Sequence, residues 1–368
     1  MTDSPRPTRS TVEVAVVRVE DYAELASFMA DFPGARVRSV DGWHSRLRTW
    51  WDANPAFEPT FPRGWVLRDA GKIVGFFGSL PLKLQFAGRE TTAFAATSWR
   101  VLPEYRGKSI GLKLRQLSAH KDALHFSTTP KEELVALLKV LGYQPIDRGP
   151  GTDAQSVLIL DFEKMLRARY RDAFLGPWMA KIAAPGLGAV QALRTRRLEE
   201  SGDVRDLSTA DGSFDDLWER TRRRHANTNV RSAAVVRWYC FSLEPADKKL
   251  FAYYERGTLL GYMVVLLREE PTRRLLECLD VWMDPAGDEA RILGALVAKA
   301  AAFARHGSYE RVMFPHFNAA IAALYGGLGL LEGPAWRRRE YVKGPREVLE
   351  TITPANSYFV RAQGDYGL

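Results

Sequence analysis

The sequence predicts an α/β (α+β) protein of two domains, each following the succession β-α-α-β-β-β-α-β-α-β. Three observations predict it. The chain has 368 residues, more than a single hydrophobic core comfortably organises. One pattern of apolar runs and polar turns occurs twice. Each copy holds two apolar runs joined by a short polar turn with a glycine, the sequence form of a β-hairpin.

The elements follow in order. Residues 1–10 read as a frayed polar tail. In the first copy Trp50-Trp51 precedes the hairpin GWVLRDAGKIVGFFG, Gly64 to Gly78, which turns at Gly71. In the second copy Trp238-Tyr239 precedes LFAYYERGTLLGYMV, Leu250 to Val264, which turns at Gly257. Gly75 and Gly261 fall at the same step after the turn. The strand-like TSWRVLP, Thr97 to Pro103, corresponds to CLDVWMDP, Cys278 to Pro285. An amphipathic helix follows each, near 110–121 and 289–305. Then come the short strands LHFST (124–128) and ERVMFP (310–315). Each leads to a helix ending in Leu141-Gly142 or Leu328-Gly329, where glycine suits a helix C-cap. The expected domains are therefore 1–162 and 203–345. A helical connector spans 163–202, and a C-terminal tail spans 346–368. In the connector, Phe174, Leu175, Trp178, Met179 and Ile182 either pack on a neighbouring domain or lie on a membrane.

Composition narrows the class. Hydrophobic residues make up 46% and charged residues 26%, as in a soluble globular protein. No apolar run approaches the roughly 20 residues of a membrane span, and MTDSPRPTRST lacks the apolar core of a signal peptide. Cys240 and Cys278 have no metal-ligand or CxxC spacing. They read as reduced, buried thiols of a cytoplasmic protein. Six scattered histidines form no ligand pattern, so no metal is expected. The net charge of +8 suits nucleic acid, an anionic surface or an anionic cofactor. The basic runs at 194–197 and 220–224 read as solvated helix faces. Without a zinc finger, RRM or KH signature, no nucleic-acid partner is expected.

The most informative stretch is WRVLPEYRGKSIGLKLRQL, Trp99 to Leu117. A strand ends at Pro103, a basic loop follows, and a helix opens. Free backbone N–H groups and the helix dipole make such a junction an anion site. Arg106 and Lys108 add charge, and glycines let a diphosphate approach the backbone.

The order strand–PEYRGKSIG–helix resembles the pyrophosphate loop of the GNAT superfamily of acyl-CoA-dependent N-acyltransferases, usually Gln/Arg-x-x-Gly-x-Gly/Ala. Arg106 fits the first position and Gly111 the last; Ser109 departs from the middle glycine. The resemblance covers residues 12–160 and, more faintly, 203–343. It implies two GNAT-like domains, each a mixed, mostly antiparallel twisted sheet flanked by helices. It implies acetyl-CoA or another acyl-CoA as co-substrate, held by Val101, Leu102, Arg106, Gly107, Lys108, Ser109, Ile110 and Gly111. The Ser109 hydroxyl is expected to donate to a phosphate oxygen, and the strand near Val101 and Leu102 to supply oxyanion donors. In the second copy, NAAIAALYGGLGL carries Asn318 and Tyr325 at the family's positions. Its loop instead holds Asp284, Asp288 and Glu289, which repel a pyrophosphate. The acyl-CoA site is therefore expected on the first half, although Leu138 stands there where a tyrosine often protonates the thiolate.

The implied reaction is attack of an amine on an acyl thioester, which needs a base for the ammonium and a proton for the thiolate. Candidates are Glu58 in AFEPTF, His125 and Tyr143. Each also has a plain structural reading: a solvated loop glutamate, a packed histidine, a core or rim tyrosine. The aromatic cluster Trp43, Trp50, Trp51, Phe57, Phe61 and Trp65 either packs a helix on a sheet or stacks on a flat ligand. A Trp-rich helix followed by Asn54-Pro55 resembles GNAT proteins linked to cell-surface polysaccharide assembly. That makes a small-molecule primary amine, an amino sugar first, the expected acceptor. The second half then shapes the acceptor pocket or a homodimer. Two other readings stay open: an aminoacyl-tRNA-dependent transferase of tandem GNAT-like fold, and a non-catalytic acyl-CoA-binding scaffold.

Overall fold

A computed structural model describes residues 12–32, 37–170, 176–196, 198, 202–243, 247–270, 273–333, 339–364 and 367–368. The expected tail at 1–10, and Phe174 and Leu175, lie outside the described residues.

The first half runs β1 (Glu13–Val16), α1 (Tyr22–Ala30), α2 (Val40–Trp50), β2 (Gly64–Asp69), β3 (Lys72–Phe86), β4 (Arg89–Val101), α3 (Ser109–Ala119), β5 (Leu124–Ser127), α4 (Glu132–Val140), β6 (Gln144–Pro145) and β7 (Gln155–Ile159). Helices α5 (Phe162–Arg169) and α6 (Gly176–Arg194) connect to the second half. That half runs β8 (Asp203–Leu207), α7 (Gly212–Thr221), β9 (Asn227–Asn229), α8 (Ala233–Phe241), β10 (Lys248–Glu255), β11 (Thr258–Glu270), β12 (Arg273–Met283), α9 (Glu289–His306), β13 (Arg311–Pro315), α10 (Ala319–Gly327) and β14 (Leu331–Glu332). It closes with β15 (Tyr341–Lys343), α11 (Arg346–Leu349) and β16 (Ser357–Tyr358). The duplicated element order is present, with β9 as an addition between α7 and α8.

The two hairpins turn alike. Ala70-Gly71 has φ of +47° and +80°, and Arg256-Gly257 has +50° and +81°. Two successive positive φ values define a type I′ turn, whose twist matches the flanking strands. Both hairpins then carry a bulge, after Leu67 and after Tyr253.

Each half forms one mixed sheet, and each sheet is completed by the other half. The first orders β1-β2-β3-β4-β5-β15-β6, with β9 also on β3 and β16 on β9. The second orders β14-β7-β13-β12-β11-β10-β8. Strand β15 enters between β5 and β6, pairing Tyr341 with Ser127 and Pro145. Strand β7 enters between β13 and β14, pairing Val157 with Met313 and Leu331. One hydrophobic cluster consequently runs from Trp43 and Phe76 in the first half to Leu266 and Phe314 in the second. Burial of that surface is the main stabilising term. The C-terminal segment joins it, with Tyr358, Phe359 and Val360 buried.

The aromatic cluster is spent on packing. Trp43, Trp50 and Trp51 are fully buried and meet edge to face at centroid separations of 5.9 and 5.8 Å. The Trp51 indole donates to Ser79 O at 2.9 Å. A ring inside a core cannot stack on a sugar, so these three tryptophans are no acceptor platform.

Candidate active site

Strands β4 and β5 run parallel only briefly. Ala93, Phe94 and Ala95 pair with Leu124, His125 and Phe126. Beyond Ala95 β4 no longer pairs with β5 and continues to Val101. A bulge at Ser98, with φ of +48°, bends β4 there. The Leu102 N–H donates to Val74 O at 3.0 Å, back toward β3. Because N–H groups alternate along a strand, the Val101 N–H faces the opposite edge, toward the gap. Of the two residues expected to supply oxyanion donors, Val101 has its N–H on the side of the gap and Leu102 does not.

The loop Pro103–Lys108 winds as a 3₁₀ turn directly into α3. Arg106, Gly107 and Lys108 are exposed, and Ser109, Ile110 and Gly111 are half-buried. No side chain caps α3, and its first turn contains no acid. A Cβ placed on Gly107 or Gly111 would meet nothing within 4 Å, so space stands open above both. The Ser109 hydroxyl, expected to donate to a phosphate oxygen, donates here to Arg106 O at 2.7 Å. Three residues back is within easy reach of a short side chain at a helix start, so Ser109 ties the loop to itself.

The face that α3 turns toward the sheet carries Leu112, Lys113 and Gln116, all buried. The Lys113 ammonium donates to Gln116 Oε1 at 2.7 Å. Gln116 donates onward to Ser79 Oγ at 3.1 Å and to Ala95 O at 3.3 Å. Lys113 Nζ lies 5.2 and 4.9 Å from the ring centroids of Phe77 and Tyr143. Burial, then repulsion from Lys343, pulls its pKa down to about 7. Sequence reasoning missed this group. The available signal was a lysine one turn after Ser109, on the stripe that Leu112 and Gln116 mark as inward.

The structure separates the three catalytic candidates. Glu58 is exposed, in a loop whose Phe61 packs on Phe94 and His120 at 5.1 and 5.9 Å. That loop therefore packs where β4 and β5 are still paired. His125 is buried, with Nε2 paired to His120 O at 2.9 Å. Burial holds its pKa down at about 4, so it is neutral and only weakly basic at pH 7. Tyr143 is buried with its hydroxyl unpaired, and burial drives its pKa up. His120 Nε2, His125 Nδ1 and Thr128 Oγ1 are likewise buried without a partner. These four buried polar atoms are left unsatisfied by protein groups.

The second half fills the equivalent place. Strand β12 bulges at Leu279-Asp280. There Arg231 donates to Asp280 at 3.1 and 3.2 Å, with both side chains wholly buried. Tyr239 and Tyr262 donate to Asp280 Oδ2 at 3.0 and 3.1 Å. The loop before α9 caps itself: Asp284 accepts from Ala286 N at 3.0 Å and Asp288 from Arg291 N at 3.1 Å. Tyr325 is fully buried with its hydroxyl on Cys278 Sγ at 3.9 Å. Asn318 caps α10 through Ile321 N.

No family model and no curated protein matches the sequence. Solved structures do match in fold. N-myristoyltransferase of Saccharomyces cerevisiae with bound myristoyl-CoA superposes with a TM-score of 0.55 at 12% identity, covering 93% of this chain and 84% of that one. A probable N-acyltransferase from Enterococcus faecalis gives 0.56 at 13%, covering 91% and 73%. A GCN5-related N-acetyltransferase from Kribbella flavida gives 0.55 at 12%, covering 90% and 71%. The chain therefore has the GNAT fold, two mixed sheets flanked by helices, over most of its length.

Proposed function

We propose that this protein is an acyl-CoA-dependent N-acyltransferase whose first half binds the acyl-CoA. The observation that carries the reading is the start of α3. It is uncapped, free of acid, flanked by Arg106 and Lys108, and open above Gly107 and Gly111. The Ser109 N–H is taken by Arg106 O, so an anion there meets the two basic side chains and the positive end of the helix dipole. The fold neighbours that are named N-acyltransferases support the same class.

The co-substrate supplies the thioester, and the chain's residues do the rest. The α3 N-terminus with Arg106 and Lys108 holds the pyrophosphate. The Val101 N–H, aimed into the gap, stabilises negative charge on the thioester oxygen. The neutral acceptor amine attacks the carbonyl carbon as a nucleophile, its nitrogen gives up a proton to the acceptor-side base, the C–S bond breaks, and the thiolate takes a proton. Lys113 suits that last step, being poised near pH 7 by burial. It stands in for the tyrosine that Leu138 replaces. Glu58, exposed on its loop, is the candidate acceptor-side base. The acceptor is a small-molecule primary amine, an amino sugar first, and the acyl group is acetyl first.

The test is a thermal melt with acetyl-CoA, myristoyl-CoA or ATP. At a hundredfold over Kd a ligand adds about 2.7 kcal/mol, roughly 5 °C for a chain of this size. A rise with acetyl-CoA and none with ATP supports the reading. A rise with myristoyl-CoA alone keeps the acyl-CoA site and changes the chain length. No rise with either overturns it.

A further inference from the structure

Helix α6 is built inside out. Its 19 residues turn small side chains toward the protein: Ala180 is buried, and Ala184 and Gly188 are half-buried. Its large apolar residues face away. Trp178, Met179, Ile182, Val190 and Leu193 are 64, 58, 60, 57 and 68% exposed. Among the described residues thirteen large apolar side chains are exposed, and six of them, counting Leu187, lie on this helix. A helix of a globular protein normally does the reverse, as α9 does with Leu293, Leu296 and Val297 buried.

The outward face is held in place. Gln191 accepts from Ile159 N at 3.0 Å and donates to Ile159 O at 2.6 Å, fastening α6 to the main chain of β7. At the C-terminal end Arg194 O presses so closely on Gly329 that a Cβ there would lie 2.2 Å away. Rolling the apolar row inward would break both contacts.

Charge identifies what covers the row. Between Gly176 and Arg194 there is no acid. At about 100° per residue, Lys181 and Arg194 fall on opposite borders of the apolar face. Arg167, Arg169 and Arg196 are exposed nearby. Glu163, the acid within α5, is already paired with Arg167 at 2.7 Å. A second copy of the chain would bring the same cations face to face in a two-fold contact. An anionic bilayer brings phosphates to the borders and acyl chains to the centre. No described helix is long and apolar enough to cross a membrane, so α6 would lie in the interface plane.

We propose that α6 docks this protein on an anionic lipid bilayer, with Trp178, Ile182, Val190 and Leu193 toward the acyl chains and Lys181 and Arg194 toward the headgroups. The test is flotation of the full chain with vesicles of equimolar phosphatidylglycerol and phosphatidylcholine, against phosphatidylcholine alone. The protein is expected to float with the anionic vesicles and to release as salt rises. Lys181→Gln and Arg194→Gln each weaken binding about fivefold. The pair Ile182→Glu and Leu193→Glu together weaken it at least tenfold. These positions are exposed, so the variants keep the parent's melting temperature. Absence of flotation, equal flotation on both vesicles, or indifference to all four substitutions overturns the proposal. So does a dimer seen by light scattering that Ile182→Glu abolishes while no vesicle binds, which assigns the face to self-association.

Discussion

The junction before α3 and the junction before α9 have the same architecture and opposite chemistry. Both follow a bulged strand and open a helix. Before α9, Asp284 and Asp288 accept the free N–H groups, and Glu289 is held by Arg224. Before α3 no side chain takes that role. Beneath the second junction a buried arginine, an aspartate and two tyrosines satisfy one another. Beneath the first, a lysine has glutamine for its partner, and neighbouring polar atoms have none. At this junction one half thus closes on its own side chains, while the other leaves its helix start uncapped.

Substitutions can break this contrast, and the largest effect is expected in the closed half. Asp280→Ala strands the Arg231 charge and two tyrosine hydroxyls in the core. It should cost about 4 kcal/mol, read as a lower urea midpoint.

The open half should respond in the other direction. Lys113→Met removes a buried cation that has no acid beside it. Its pKa falls from 10.5 to about 7 on folding. Between those values the unfolded chain holds the proton and the folded chain does not, so stability rises with pH across that window. The penalty is full below about pH 7 and gone near pH 10.5. Lys113→Met should therefore stabilise by up to about 4 kcal/mol at pH 7, shrinking toward zero at pH 10.5. Melts of parent and variant at three pH values check this, and a gain independent of pH would place Lys113 in solvent contact. If Lys113 also serves the thiolate, the variant loses turnover while gaining stability.

Gly111→Trp should fill the open space above α3. It should abolish the roughly 2.7 kcal/mol of stabilisation by saturating acetyl-CoA while the unliganded melt holds. A variant that still binds acetyl-CoA would remove the site from α3. The smallest contrast lies in the caps. Asp288→Ala should cost about 1 kcal/mol by uncapping α9. Ser109→Ala, which loses only a local loop contact, should cost about half that or less.

Much of the first-half loop was legible in the residues. Arg106, Gly107, Lys108 and Gly111 lie where a strand–loop–helix reading places them, because that reading rests on Pro103 and on the helical period. Ser109 was legible as a position and not as a role. Whether its hydroxyl reaches a ligand or Arg106 O depends on the pitch of the turn. His125 and Tyr143 could be named as polar residues near the gap. Their burial, which makes one a weak base and leaves the other's hydroxyl alone, depends on what packs above them. The tryptophans of α2 were legible as a cluster, and only the packed sheet turned them into core.

The sequence by itself determined the local grammar. Two type I′ turns at Ala70-Gly71 and Arg256-Gly257, the long strands around them and the helices after Pro103 and Pro285 follow from φ preferences and hydrophobic period. These act over a few residues, so a sequence window contains their cause. Tertiary structure alone decided the exchange of β7 and β15. Strands of five and three residues carry too little pattern to select a partner, and register comes from the sheet that receives them. It also decided that Lys113 is a buried amine and that Arg231 meets Asp280 across 49 positions of chain. A charge on an amphipathic helix reads as surface until its surroundings exist, since its energy is set by the groups that fold around it.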